Sequence, residues 1–450
     1  MNDKTIFAED FKSTPYWWEA YQPADNDPTE VPASTHIAII GAGYAGLSCA
    51  LELASKGHSV TVLEADVPGI GASTRSGGQV TGGVNVGKAP SGRQTAGWAE
   101  REAALLSEAS AGYRLFEDIL EKHQITCGYH KNGRLTLAWT PAHLRSWAGR
   151  VDKLNRLTGA GLRLLTPDEL RDEIASDFCF GGLLMTKAGH IHPALYFGGL
   201  LRAARAQGAL VCSKAPVRDI RHEAGGFRVV TAGGELSAEQ VVIASNAYPG
   251  AFAPRLRRGI IPVTTHMIAT EELPDGLAAS LIPRNRAVAE TRRVVNHYRL
   301  SPDGKRLLFG GRARFTRIDE RASGKILRDM MVARFPQLAG TKISHSWGGR
   351  VAVTLDYLPH IGTQEGVHYA LGCNGSGITM MTYLGHAVAC AILERRPTTR
   401  SAYGAKPLPT HPLYTGNPWF LPAVGSWYQL RDAMDRRIAV MRSGWTEGRM

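Results

Sequence analysis

Between residues 36 and 65 the chain reads HIAIIGAGYAGLSCALELASKGHSVTVLEA, and the spacing of its apolar positions changes twice. Residues 37–40 are apolar without interruption over a length too short for a helix, which predicts a strand buried on both faces of a parallel sheet. Ala45, Ser48, Cys49, Leu51, Leu53 and Ala54 then fall at helical spacing, small enough for close packing on that sheet, and Gly57 supplies a stop. Residues 60–63 repeat the buried-strand pattern. The unit predicted is strand, helix, strand.

Further along, residues 98–123 read as a helix and 134–139 alternate as a half-exposed strand does. Residues 141–157 predict another helix, and Thr166-Pro167-Asp168-Glu169 is a helix start with proline in the first turn. A helix over 193–207 ends at Gly208, and short strands follow around 210, 217–221, 227–231 and 240–244. Residues 258–345 look strand-rich, 307–310 most clearly. From Tyr369 the chain returns to its opening pattern of strand, glycine turn and helix in YALGCNGSGITMMTYLGHAVACAILE. That return predicts a nucleotide-binding domain assembled from separated segments, with a second domain inserted between them.

The chemistry lies in the glycines. Gly41, Gly43 and Gly46 form GxGxxG between the first strand and its helix, where the turn is tight, a pyrophosphate approaches the backbone, and helix meets strand closely. The helix N-terminus then offers free N–H groups and partial positive charge to phosphates. Glu64 ends the second strand 23 residues after Gly41, placed to accept hydrogen bonds from ribose hydroxyls and to disfavour a 2′-phosphate. NAD and FAD share this fingerprint. A second small-residue loop, Ala72-Ser73-Thr74-Arg75-Ser76-Gly77-Gly78-Gln79, and a third, Gly372-Cys373-Asn374-Gly375-Ser376-Gly377, decide for the longer FAD. The helix after the third loop points its N-terminus where negative charge builds on a flavin ring that accepts a hydride.

Composition narrows the class. A chain of 450 residues with 44% hydrophobic content is enough for two or three folding units. The net charge of +12 raises nucleic acid as a partner, but the basic residues are dispersed; the densest groups are Arg255, Arg257 and Arg258, then Arg292 and Arg293. Six cysteines (Cys49, Cys127, Cys179, Cys212, Cys373, Cys390) form no CxxC pair, and His190 and His192 have no acidic or sulfur companion at ligand spacing, so no metal is expected. The start MNDKTIFAEDFK has no apolar signal-peptide core and no run is long enough to span a membrane, so a cytoplasmic protein is expected.

These motifs together resemble the D-amino-acid oxidase and sarcosine oxidase superfamily of flavoenzymes, in the branch that includes gamma-glutamylputrescine oxidases. The resemblance covers nearly the whole chain. Ala72 to Gln79 is similar to the branch's ASGRNGGQ loop, with Thr74 and Ser76 departing from it. Gly189 to Tyr196 (GHIHPALY) resembles its GxxHPxxY helix start, Ala244 to Tyr248 (ASNAY) its strand end near the flavin, and Pro418 to Pro422 (PWFLP) its tail.

The fold implied is an α/β FAD-binding domain, Rossmann-like and of the glutathione reductase type, built from discontinuous segments, plus an α+β substrate domain with a mainly antiparallel sheet. The expected segments are a leader over 1–34, FAD-binding parts over 35–122, 189–257 and 346–397, substrate-domain parts over 123–188 and 258–345, and a C-terminal tail over 398–450. Cofactor contacts are expected from Gly41, Gly43, Tyr44, Ala45, Gly46, Glu64, Ala65, Ser73, Thr74, Arg75, Gly77, Gly78, Gln79, Val80, Val217, Ala244, Asn246, Gly372, Gly375, Ser376, Gly377, Ile378 and Thr379. The His or Cys tether of the covalently flavinylated relatives has no placed counterpart here, so the FAD is expected to be noncovalent.

The activity implied is oxidation of a C–N bond in a small amine or amino acid: hydride passes to the flavin, the imine hydrolyses, and electrons go to O2, giving peroxide, or to a quinone or carrier protein. Candidate pocket residues are His266, Tyr298, Arg299, Trp347 and Asn374, with Arg299 a partner for a substrate carboxylate. Leu308 stands where sarcosine oxidase relatives place an oxygen-activating lysine. Two other readings remain: a flavoenzyme that modifies transfer RNA, which the net charge favours although no RNA-binding motif is seen, and a flavoprotein without turnover that serves assembly. The sequence does not fix the oligomeric state.

Overall fold

The strand β2 (Ser34–Ile40) occupies the centre of the first of two large sheets, since Ile37 to Ile40 present apolar side chains on both faces and only a doubly covered strand hides them. The structure, a computed structural model, describes residues 6–25, 29–81 and 97–443. Of the segments expected above, the first, the second and the last include residues outside this range. In the first sheet β2 pairs in parallel with β3 (Val60–Leu63), which pairs with β9 (Leu210–Cys212). On its other side β2 pairs in parallel with β12 (Gly234–Ile243), the last strand of a meander that begins with β10 (Val217–Glu223) and β11 (Gly226–Thr231). The C-terminal hairpin β18 (His360–Gln364) and β19 (Val367–Leu371) joins through β19, parallel to β12. Helices α1 (Tyr44–Ser55), α2 (Trp98–Lys122), α6 (Pro193–Ala206) and α10 (Gly377–Leu393) complete the core of this domain.

The second sheet has nine strands, in the order β1 (Phe7–Lys12), β17 (Ile343–Val353), β13 (Ile261–Thr270), β16 (Leu307–Gly311), β15 (Asn296–Leu300), β14 (Ala287–Glu290), β5 (Arg134–Leu137), β7 (Gly182–Met185) and β6 (Leu162–Leu165). Only β1–β17 and β14–β5 are parallel pairs. A small ladder of β4 (Gln79–Val80) and β8 (Gly189–His190) lies between the domains. One face of the large sheet packs on α9 (Glu320–Val332), whose Leu327 and Met331 repeat at helical spacing. Short helices α3 (Pro141–Ala148), α4 (Val151–Thr158), α5 (Pro167–Arg171), α7 (Pro254–Arg257) and α8 (Leu277–Leu281) fill connections.

Four local expectations change. The leader is part of the fold: β1 adds a strand to the large sheet, and Trp17 is completely buried. The helix expected over 141–157 breaks at Gly149 and Arg150, so that Thr140 caps α3 and α4 starts anew. The strand-rich stretch contains α9, started by Asp319, whose side chain accepts from the Ala322 N–H. The tail carries α11 (Leu421–Ser443), and buried Asp432 on it accepts from the backbone N–H groups of Arg293 and Val294 at 3.0 Å each. Among the described residues no helix is long and apolar enough to cross a membrane.

Beneath the α9 face, Arg334 and Glu290 form a buried bidentate pair at 2.8 and 2.9 Å, with the guanidinium 4.1 Å from the Phe178 ring centre. Breaking such a pair strands a charge, whereas removing both partners does not. Arg334→Met is expected to cost about 3–5 kcal/mol, and Arg334→Met with Glu290→Leu much less. Urea midpoints of the two variants check this; a single variant as stable as the parent removes the pair as a tie between the turn after α9 and β14.

Candidate active site

Glycine is required at position 46, because a Cβ there would stand 1.9 Å from the Gly41 carbonyl oxygen. Gly41 itself turns with φ +103°, a conformation side chains resist, and the Ala244 carbonyl closes in from β12. This contact sets the start of α1 against the end of β2. The N-cap of α1 is Gly43, which has no side chain, and Ser73 Oγ from the second loop accepts from the Tyr44 N–H at 3.4 Å. The Ser376 side chain makes no cap bond at the start of α10, and neither helix has an acid in its first turn. Both therefore hold free N–H groups and partial positive charge toward any anionic group beside them. Glu64 accepts from the Ala42 N–H at 2.9 Å; burial pushes its carboxyl pKa up despite this hydrogen bond.

The third loop is held by two asparagines in the left-handed region. Asn246 (φ +46°) accepts from Gly372 and Cys373 N–H at 3.1 and 3.3 Å, and Asn374 (φ +47°) accepts from Thr354 N–H and donates to the Gly372 carbonyl. These bonds make Asn374 a pin of its own loop. At Gly375 and Gly377 an added Cβ would meet nothing within 4 Å. At Gly377, where the backbone imposes no left-handed turn, open space in front of an uncapped helix fits a bound group. Ile378 is buried, and Thr379 donates to the Thr81 carbonyl, joining α10 to the end of β4. Val217 opens β10 half-buried, Ala65 is exposed beyond Glu64, and Tyr44 donates to the Ser73 carbonyl at 2.6 Å.

Thr74 and Ser76, where the second loop departs from its relatives, meet the leader. Trp18 donates to Thr74 Oγ1 at 2.9 Å, and Thr74 in turn donates to the Gly69 carbonyl; Trp17 donates to the Ser76 carbonyl at 2.9 Å. Arg75 reaches the Ile70 and Gly348 carbonyls and lies over the Trp18 ring. Trp347 donates to the Arg75 carbonyl at 2.9 Å. The loop is thus clamped between the leader and the large sheet.

The sheet face that meets this loop is set by register. Thr136, Ala289, His297, Gly310, Met267 and Trp347 pair in succession across β5, β14, β15, β16, β13 and β17, so their side chains share one face. The row Leu135, Val288, Tyr298, Phe309, Ile268 lies on the other face, against α9. Tyr298, expected in the pocket wall, is therefore a core residue stacked 5.3 Å from Phe309. His266 shares the α9-side face and is 4% exposed. Arg299 is on the loop side but is 1% exposed, with Nη1 on the Ile191 carbonyl at 2.6 Å and Nε on that of Leu300. Burial pushes its pKa down to about 9. It buttresses the backbone around Gly78.

Two residues absent from the expectation stand on the open part of this face. His297 fits between glycines: a Cβ at Gly77 would be 3.0 Å from its ring and one at Gly310 2.3 Å. It is half-buried, and burial and then the nearby charge of Arg134 push its pKa down to about 4, so the imidazole is neutral. Arg134, also half-buried, donates from Nε to Gln79 Oε1 at 3.0 Å and forms no ion pair with a described residue. Residues 82–96, the segment after β4 that lies outside the described range, contain no Asp or Glu. Burial pushes the Arg134 pKa down to about 10, which leaves it charged at neutral pH. Surface clefts of about 400 and 330 Å3 lie by β11 and by Arg255, and none of the glycine loops lines either.

A glycine turn into α1 on a parallel sheet, a second glycine turn into α10, and a loop clamped against a second, mixed sheet mark a two-domain dinucleotide-binding protein. The chain belongs to the family DAO, FAD dependent oxidoreductase, whose model matches residues 36–391. It is 32% identical over 431 residues to gamma-glutamylputrescine oxidoreductase of Escherichia coli (strain K12), covering 94% of this chain and 98% of that one. It is 25% identical to glycine oxidase of Geobacillus kaustophilus (strain HTA426), over 80% of this chain and 93% of that one. Among solved structures, L-proline dehydrogenase from P. horikoshii superposes with a TM-score of 0.70 at 21% identity, over 83% of this chain and 98% of that one. These likenesses agree with the expected fold and with FAD as the cofactor.

Gly46→Ala is expected to displace the Gly41 turn and to lower FAD retention at least about ten-fold, read as the flavin-to-protein absorbance ratio after gel filtration. Full retention would mean that the turn yields freely.

His190, His192 and His297 have pKa values pushed down to about 2, 4 and 4, mainly by burial. A depressed histidine stabilises the fold fully above its unfolded pKa of about 6.5, and that contribution falls away as pH drops through the folded values. Stability is expected to decline from pH ~6.5 toward ~4, by at most about 1.4 kcal/mol per pH unit for each group. His297→Gln should flatten the slope of stability against pH; an unchanged slope would show that His297 is already protonated in the fold.

Proposed function

We propose that this chain oxidises the C–N bond of an amine that also carries a carboxylate, with noncovalent FAD as the hydride acceptor and O2 as the terminal acceptor. It is an FAD-dependent oxidoreductase of the amine and amino-acid type. The observation that carries the finer reading is Arg134, a half-buried cation without an acidic partner among the described residues, on the same sheet face as neutral His297. A buried charge is kept only where something compensates it, and a substrate carboxylate does so. An N-substituted amino acid or a gamma-glutamyl amine has both required groups.

In this reading the N-termini of α1 and α10 hold the pyrophosphate and the electron-rich edge of the flavin, and Glu64 holds the adenosine ribose. The chemistry that FAD supplies when bound is acceptance of a hydride from the carbon beside the nitrogen, after which the imine hydrolyses. The chain's part is to orient and to deprotonate. Arg134, steadied by Gln79, fixes the carboxylate; His297 accepts the proton of the substrate ammonium, since only a neutral amine gives up hydride readily. Trp347 and Arg75 hold the loop that closes the site. The side chains named in the active site do not require a membrane, and a cytoplasmic location belongs to the same proposal.

The test is an anaerobic absorbance titration of the purified flavoprotein with sarcosine, D-amino acids, imino diacids and gamma-glutamyl polyamines. Bleaching by a carboxylate-bearing amine, peroxide on readmitting air, and flavin released by acid precipitation are expected. Arg134→Gln should raise KM for that substrate about 10–100-fold, the loss of one charge-assisted hydrogen bond pair, with a smaller effect on an amine lacking the carboxylate. Equal losses for both compounds would sink the role of Arg134; bleaching without peroxide would replace O2 by another acceptor.

A further inference from the structure

Away from the groove, α1 and α10 bring together three side chains that the oxidation does not use. Glu52 stands on the C-terminal half of α1; His386 and Cys390 follow one another by one turn on α10. Glu52 Oε2 lies 3.4 Å from His386 Nδ1, and Cys390 Sγ lies 3.4 Å from His386 Nε2. Among the described residues this is the one group of three His, Cys, Asp or Glu side chains whose donor atoms all lie within 4.8 Å of one another. All three are half-buried, while the other five cysteines are fully buried.

We propose that Glu52, His386 and Cys390 form a Zn2+ site that ties α1 to α10. Sulfur, imidazole and carboxylate are the ligand types Zn2+ takes, and bond lengths of about 2.0–2.3 Å require neighbouring ligand atoms about 3.4–3.7 Å apart in a tetrahedron. Each partner already stands at such a distance from one ring nitrogen, and one donor atom from each of the three side chains lies within 4.8 Å of the other two. The metal uses one ring nitrogen, so the imidazole turns from bridging its two partners to pointing with them at a common centre. Partial exposure leaves the fourth position to water. The thiol is the feature that an ordinary surface ion pair lacks, and it selects a borderline-soft cation over Mg2+ or Ca2+. Lys56 and Lys122 approach Glu52 from outside, so the sulfur and nitrogen supply most of the affinity and the carboxylate completes the site.

The consequence is mechanical. The helices cross where Gly385 meets the Ala45 carbonyl and Ser48 meets Thr382, and a metal across their flanks holds that spacing without touching the reacting groups. This site is independent of the proposed substrate, because it needs only the folded flavoprotein.

The test is calorimetric titration of the purified FAD-bound protein with ZnCl2 alone, alongside thermal melting followed by flavin fluorescence. One equivalent of binding and a raised melting temperature are expected in the parent. Cys390→Ser and His386→Gln should each weaken binding at least ten-fold and abolish the thermal shift while the protein stays yellow. Cd2+ should give an ultraviolet thiolate-to-metal band in the parent that Cys390→Ser lacks. Absence of Zn2+ binding, or binding and a Cd2+ band that survive both substitutions, would overturn the proposal. If either variant loses its flavin, the Cd2+ band of the parent decides: its absence overturns the site, and its presence with one equivalent bound supports it.

Discussion

The architecture depends on how closely α1 lies against its neighbours. On one side Gly46 leaves no room for a methyl group beside the Gly41 carbonyl; on the other, a Cβ at Gly385 would stand 2.0 Å from the Ala45 carbonyl. Ser48 donates to the Thr382 carbonyl at 2.8 Å across the same crossing. Two helices can approach this closely only through small residues, and the approach fixes where their first turns lie. The two helices meet at this crossing although their residues are far apart in the chain.

The second domain takes its position from the same groove. The loop from Gly69 to Val80 touches the first domain through Tyr44 and Ser73 and the large sheet through Trp347 and His297. Trp17 and Trp18 hold its outer edge by donating to Ser76 and Thr74. Each indole buries a large apolar surface and has one N–H to place, so a tryptophan serves as both filler and peg. The Thr74 hydroxyl gives Trp18 its acceptor, whereas Trp17 uses the Ser76 backbone carbonyl. The loop need not rely on backbone turns alone.

Much of the first domain was legible because its signals are local. GxGxxG, the apolar strand before it and the acid after it lie within thirty residues, and each reports a constraint acting at that spot. The pocket was less legible, since it is built by register across six strands. In NHYRL the choice of Tyr298 followed residue chemistry, yet the alternation with Leu300 already puts Tyr298 on an apolar face and His297 on the opposite one. The same holds for RLTL, where Leu135 and Leu137 face the core and Arg134 and Thr136 share the other side. A polar strand face reads as solvent-facing in a sequence. Here it faces the other domain, and nothing local distinguishes the two. The leader strand and α11 were missed for a related reason: both find their partners hundreds of residues away.

The electrostatics of the two sides of the groove are complementary in kind. On the first domain, positive potential comes from helix ends, which are fixed dipoles that need no counter-ion and do not titrate. On the sheet side, potential comes from a full guanidinium charge, and its cost in a half-buried position falls when an anion arrives. The neutral His297 beside it follows from this charge as well as from burial, because Arg134 disfavours a second cation on the same face. In the function proposed above, a substrate carboxylate would relieve the arginine and, by neutralising it, raise the histidine's affinity for a proton. On that proposal, binding the acid end would prepare the base that the amine end requires, and an amine without the acid would leave that base weak.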